Sequence, residues 1–270
     1  MKLHCNYFLK VLGICVLVFA FGQVQPARGQ QREVRVAAAA DLKFAMGELA
    51  AEFKKATGTE VSATFGSSGN FFSQLQNGAP FDVFFSADID YPQKLESAGL
   101  TEPGTLYSYA VGRIVIWMPH DSQIDLQNLG WKALQDSSVQ KIAIANPEHA
   151  PYGKAAVAAL TKAGLYEEVK PKLVLGENIS QAAQFVQSGN AQAGIVALSL
   201  AISPAMKDGK SWEIPTDMHA LIEQAAIVMK DAKNKDQAKA FLEFMKSEPA
   251  RKVLQKYGFT MPSGQAAARP

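Results

Sequence analysis

Thiols are almost missing from this chain of 270 residues, whose two cysteines, Cys5 and Cys15, both fall within the first 29 positions. The rest of the sequence has no disulfide and no Cys-ligated metal, and its fold must be held by its core. The chain also lacks a phosphate loop with a Lys, a His-Glu-x-x-His pair and a Cys/His metal cluster. Gly66-Ser67-Ser68-Gly69 lacks the Gly-x-Ser-x-Gly spacing of a hydrolase elbow. His149 has no triad-like neighbourhood. These absences leave no catalytic constellation, so neither an enzyme nor a cofactor is expected. Net charge is scarce as well. The formal total is +2, and the first 29 residues hold Lys2, Lys10 and Arg28 and no acid, so the remainder carries −1. A near-neutral chain has no electrostatic footprint for nucleic acid or an anionic membrane.

Long apolar runs are absent too. The longest, Val11 to Phe21, is too short for a confident membrane-spanning helix and gives way to a polar stretch. With Lys2 and Lys10 before it and Ala27-Arg28-Gly29 after it, residues 1–29 read as a secretory signal peptide cleaved near Gly29, with Gln23–Ala27 as the fallback region. An uncleaved anchor is the alternative. A lipoprotein reading at Cys15 is weaker, because Ile14 stands where a small residue is expected. Export without disulfides suits a bacterial periplasmic protein.

Beyond the leader the pattern is regular. Val34–Ala38, Glu60–Phe65 and Phe81–Ser86 read as strands. Between them lie a helix marked by Leu42, Ala45, Met46, Leu49, Ala50 and Phe53, a second over Asn70–Gln76, and a third over Pro92–Ser97. That β-α-β order predicts a parallel sheet covered by helices. Near Tyr109 the pattern changes. Gly112–Met118, Lys141–Ala145, Lys172–Leu175 and Ala193–Ala197 read as strands, with helices over Tyr152–Ala163 and Ser180–Ser188. Ala225–Met229 is a further strand, with helices over Lys235–Lys246 and Glu248–Lys256 after it. Ser263–Pro270 reads as a frayed tail. The layout predicts an α/β protein of two lobes, 30–109 plus 222–270 and 110–221, each a mainly parallel sheet flanked by helices. One large doubly wound domain is the alternative.

Three strand-to-helix junctions carry the functional signal: Ala37-Ala38-Ala39-Ala40-Asp41, Phe65-Gly66-Ser67-Ser68-Gly69-Asn70 and Ala150-Pro151-Tyr152-Gly153. Small residues let a ligand approach the backbone. A helix start offers unpaired N–H groups and a positive dipole end, which can hold an anion with no Lys or Arg. Ser67 and Ser68 are oxyanion donors or plain caps. Asp41 suits a helix N-cap whose backbone N–H faces the ligand. The sharper reading is that its carboxylate accepts a hydrogen bond from a protonated oxyanion. Tyr152 offers a hydroxyl or an amide, or simply packs at a helix start. Ile179, before the possible cap Ser180, offers an amide or is only buried. Asn178-Ile179-Ser180 also forms a glycosylation sequon, read as chance. Three such junctions point to a small-anion receptor.

Taken together, Ala38-Ala39-Ala40-Asp41-Leu42, Phe65-Gly66-Ser67-Ser68-Gly69, Gly78-Ala79-Pro80-Phe81-Asp82-Val83-Phe84-Phe85-Ser86-Ala87-Asp88, Asn146-Pro147-Glu148-His149-Ala150-Pro151-Tyr152-Gly153 and Gly194-Ile195-Val196 resemble the periplasmic molybdate-binding proteins of bacterial ABC importers. The resemblance runs from about Val34 to Gly258. It implies a two-lobe periplasmic binding protein of type II, closing on molybdate or tungstate. It also implies a monomer that delivers the anion to a membrane permease. Hydroxyls and amides would hold the oxyanion, with no direct metal-cation ligand. By position, these donors fall on Ala40, Asp41, Ser68, Tyr152 and Ile179. Two departures stand out: Ala40 and Asp41 supply no first-turn hydroxyl, and Ala197 stands where some members have a Tyr. The same architecture could hold sulfate, phosphate or arsenate instead, and an exported enzyme on this scaffold is the remaining alternative.

Overall fold

The computed structural model describes residues 33–262. The leader with its cleavage point near Gly29, both cysteines and the tail 263–270 lie outside the described residues.

Ten strands form two sheets of five. The first contains β1 (Glu33–Ala39), β2 (Glu60–Gly66), β3 (Val83–Ser86), β4 (Tyr107–Gly112) and, from much later in the chain, β10 (Ile222–Val228). Its order is β2-β1-β3-β10-β4. The second contains β5 (Ile114–Met118), β6 (Ile142–Ala145), β7 (Leu173–Gly176), β8 (Ala193–Ala197) and β9 (Lys210–Glu213), in the order β7-β6-β8-β5-β9. In each sheet a single strand opposes the rest. β10 is antiparallel to β3 and β4, and β5 is antiparallel to β8 and β9. Each sheet is therefore mainly parallel, as expected for a two-lobe α/β protein.

Side-chain alternation explains why the first sheet is covered on both sides. Val34, Val36 and Ala38 of β1 and Val83 and Phe85 of β3 share a core with Leu42, Met46, Leu49, Phe53 and Phe241. The intervening Ala37 and Phe84 join Phe71, Leu75 and Leu95 on the other face. A strand buried on both faces reads as a near-continuous apolar run, which is why Val83–Phe85 shows no polar alternation. The second sheet builds its own core from Ile114, Ile116, Ile142, Ile144, Ile195 and Leu160.

Two details differ from the sequence reading. The strand expected over Gly112–Met118 is β5, starting at Ile114, and the strand before it, β4, is not among the expected ones. β4 stays in the first sheet through Gly112, the chain changes sheet at Arg113, and β5 begins at Ile114. An apolar run shows that residues are buried, not which sheet buries them. The change of sheet thus falls four residues beyond Tyr109. The return lies between Glu213 and Ile222. Second, β9, Lys-Ser-Trp-Glu, is a polar edge strand with no apolar signature to announce it.

Candidate functional site

Four helix starts, two following strands of each sheet, line one cleft. A short 3-10 turn, Ala40–Leu42, comes after β1 and runs on into the helix Lys43–Thr57. The helix Ser68–Gln76 comes after β2. From the other lobe come the helix Pro151–Lys162, after β6, and the helix Ile179–Gln187, after β7. Ala40, Asp41, Ser68, Tyr152 and Ile179 all line one small cleft, together with Ala39, Ser67, Ala87 and Ala150. The structure thus brings together every candidate residue that the sequence points to. The space between these residues, open solvent included, is only about 190 Å³, so the cleft suits a ligand of a few atoms. No Lys, Arg or His is among its lining residues.

Its donors come from chain geometry. The first N–H groups of a helix have no partner within it. Ser68 and Ile179 are the first residues of their helices, and Tyr152 is the second of its own. Ser67, not Ser68, is the cap: its side chain accepts from the Asn70 amide. The Ser68 hydroxyl oxygen accepts from the Ala87 N–H at 2.9 Å, which leaves its own hydrogen to donate. Asn178, not Ser180, caps the helix behind Ile179, accepting from the amides of Ser180 and Gln181. Close approach depends on small residues. A Cβ on Gly153 would run into the Ala145 carbonyl oxygen, and one on Gly69 would lie 2.7 Å from the His149 carbonyl oxygen.

Asp41 corrects the sequence reading. It makes no side-chain cap, because the 3-10 turn starts one residue earlier and has Ala39 at its cap position. Its carboxylate turns instead toward the opposite lobe. Oδ2 accepts from the Tyr152 hydroxyl at 2.9 Å and from Gln224 Nε2 at 2.6 Å. Oδ1 is buried with no protein partner. Burial pushes the carboxyl up to about 6, against the pull of the Gln224 and Tyr152 hydrogen bonds. Burial and the Asp41 charge hold the Tyr152 phenol well above its ordinary range, so it remains a donor.

Three further residues, Gln224, Tyr109 and Ser199, join the site without a local sequence pattern to mark them. Gln224 Nε2 also donates to the Tyr152 oxygen at 2.9 Å, its Oε1 accepts from the Tyr109 hydroxyl at 2.6 Å, and Ser199 Oγ donates to the Asp41 carbonyl at 2.8 Å. A lone Gln inside the apolar run of β10 is the one available signal, since a buried amide needs partners. Further contacts cross between the lobes. The Gly69 N–H donates to the His149 carbonyl at 2.9 Å, and Lys154 Nζ lies 5.3 Å from the centre of the Tyr91 ring.

Two mainly parallel sheets, with helix starts from both converging on a small cleft free of cations, define a two-lobe solute-binding protein. Comparison with known proteins narrows the class: the chain belongs to the bacterial extracellular solute-binding protein family, matched over residues 34–260. It is 41% identical to the molybdate-binding protein ModA of Azotobacter vinelandii over 249 residues, covering 90% of this chain and 96% of that one. It is 38% identical to ModA of Rhodobacter capsulatus, with 92% and 95% covered. The solved periplasmic molybdate-binding protein of Azotobacter vinelandii superposes with a TM-score of 0.80 at 34% identity, covering 85% of this chain and all of the other.

Proposed function

We propose that the protein is a periplasmic receptor that captures molybdate or tungstate between its lobes and hands it to an ABC importer. The observation that carries this reading is the convergence of four helix starts on a cleft of ion size without a cation, in a chain with molybdate-binding relatives. Ala40, Asp41, Tyr152 and Ile179 contribute backbone amides, and Ser68 contributes its hydroxyl as well. Each charge-assisted hydrogen bond in such a site contributes on the order of 1.5–3 kcal/mol. Cavity size discriminates against the smaller sulfate. The two lobes expected as 30–109 with 222–270 and 110–221, with the first boundary moved to Arg113 where the chain passes between sheets, close on the ligand. The protein works as a monomer, is exported with its leader cleaved near Gly29, and docks on a membrane permease. It binds no nucleic acid and catalyses nothing.

A second reading keeps the receptor and changes the anion. The unpartnered Asp41 Oδ1 is a hydrogen-bond acceptor suited to a protonated oxyanion such as hydrogen phosphate or arsenate. Titration calorimetry of the mature chain, stripped of anion, separates the two. One-to-one binding of molybdate and tungstate with sulfate and phosphate silent supports the first. Binding of phosphate alone supports the second, and silence from all four removes both.

A further inference from the structure

The cleft proposed to hold a dianion contains one ionisable side chain of the wrong sign. Asp41 is 1% exposed and lines the cleft. Both side-chain donors that reach its carboxyl group, Tyr152 and Gln224, are on Oδ2, and the backbone N–H groups of Asp41 and Leu42 add a weaker pull on the carboxylate. Oδ1 is buried and unpartnered. The carboxylate therefore has one oxygen engaged by two side chains and one with no partner in hydrogen-bond geometry, and that second oxygen is where a proton would be held.

Among the described residues no cation lines the cleft or acts on the Asp41 carboxyl. The groups facing Asp41 from other elements are the phenols of Tyr152 and Tyr109, the amide of Gln224 and the hydroxyl of Ser199. The helices Ile179–Gln187 and Leu198–Ala201, packed against its turn, carry no ionisable side chain. On β2, Glu60 pairs with Lys54 at the far end of the strand. On the helix after the turn, Lys43 is exposed and lies over the Phe44 ring.

A carboxylate and an oxyanion sharing a dry cavity repel each other, as any two like charges do, and one of them must take a proton. Molybdate and tungstate are fully deprotonated near neutral pH, whereas burial has already made the Asp41 carboxyl a weak acid. We propose that capture of the anion is coupled to uptake of one proton from solvent, held on Asp41 Oδ1 and donated from there to the bound oxyanion. The same proton returns to solvent on release. Asp41 thus changes from a repelling acceptor into a further donor. The inference rests on the receptor reading and adds its proton stoichiometry.

The test is titration of the mature chain with molybdate, between pH 6 and 8.5, in two buffers of different ionisation enthalpy. The expected result is an uptake approaching one proton per anion at the alkaline end, with affinity falling about tenfold per pH unit there. In Asp41→Asn an amide N–H replaces the protonated Oδ1. That variant is expected to bind with no proton uptake, to show a flat pH profile, and to exceed the wild type at pH 8. Tight wild-type binding with no proton uptake and a flat profile would overturn the inference and leave the receptor reading standing. So would an unchanged slope in Asp41→Asn. No binding of molybdate or tungstate would remove the receptor reading, and this inference with it.

Discussion

The Tyr152 hydroxyl, at the start of a helix in one lobe, donates at 2.9 Å to Asp41 Oδ2 at the start of a helix in the other. Both side chains are buried, and Gln224 touches both. The lobes therefore meet through a hydrogen-bonded network at the wall of the cleft, and its members make separate predictions.

Tyr152→Phe removes the hydroxyl that donates to Asp41 and accepts from Gln224. The ring still fills its place beside Gly112, where a Cβ would run into the Tyr152 oxygen. The variant is expected to fold and to lose about 1–2 kcal/mol of stability, measured by urea unfolding of the anion-free protein. A loss below a few tenths would mean the hydroxyl is not bonded as described.

Ser68→Ala removes the oxygen that accepts from Ala87 and the hydrogen left to donate into the cleft. Affinity for molybdate is expected to fall about 10- to 100-fold, the equivalent of one charge-assisted hydrogen bond, with the melting temperature little changed. Unchanged affinity in calorimetry would take Ser68 out of the site.

Asp41 sets a pH dependence of the anion-free protein. Its carboxyl is raised in the folded state from 3.8 to about 6, so the fold binds this proton more tightly than the unfolded chain does. Its stabilising contribution is complete below about 3.8 and is lost as pH rises through about 6. The difference is on the order of 3 kcal/mol. Asp41→Asn, neutral at every pH, should therefore be more stable than the wild type at pH 8 and should lose that advantage toward pH 4. Denaturant titrations at the two pH values check this, and a variant less stable at pH 8 would contradict it.

Gly69→Ala tests closure. A Cβ there would lie 2.7 Å from the His149 carbonyl oxygen and 2.9 Å from its Cα, across the line where the lobes touch. The expected result is at least a tenfold loss of affinity, together with a larger radius of gyration in the presence of anion by small-angle scattering. Wild-type values of both would mean the lobes do not need this approach.

Local rules reach most of the fold and the floor of the site. Strand-to-helix junctions with small residues point to the turns that hold Ala40, Ser68 and Tyr152, whereas Ile179 rests on the resemblance and on a cap read at Ser180 that falls on Asn178. The same rules misassign Asp41. Its sequence position suits a cap, but its partners are 111 and 183 residues away, and a buried carboxylate turns to its strongest donors. Gln224 escapes them for the same reason. Its role depends on β10 returning late in the chain to lie between β3 and β4, a placement no local pattern encodes. The change of sheet at Arg113 is hidden because burial is equally apolar on both sides of it.

That an oxyanion is held by helix starts and one serine, with no cation, is tested most directly by a crystal grown with tungstate and measured for the anomalous signal of tungsten. The expected result is one tungsten site in the cleft, its oxygens within hydrogen-bond distance of Ser68 Oγ and the amides of Asp41, Tyr152 and Ile179. A tungsten bound beside a Lys or Arg outside the cleft, or an empty cleft at saturating tungstate, would contradict it.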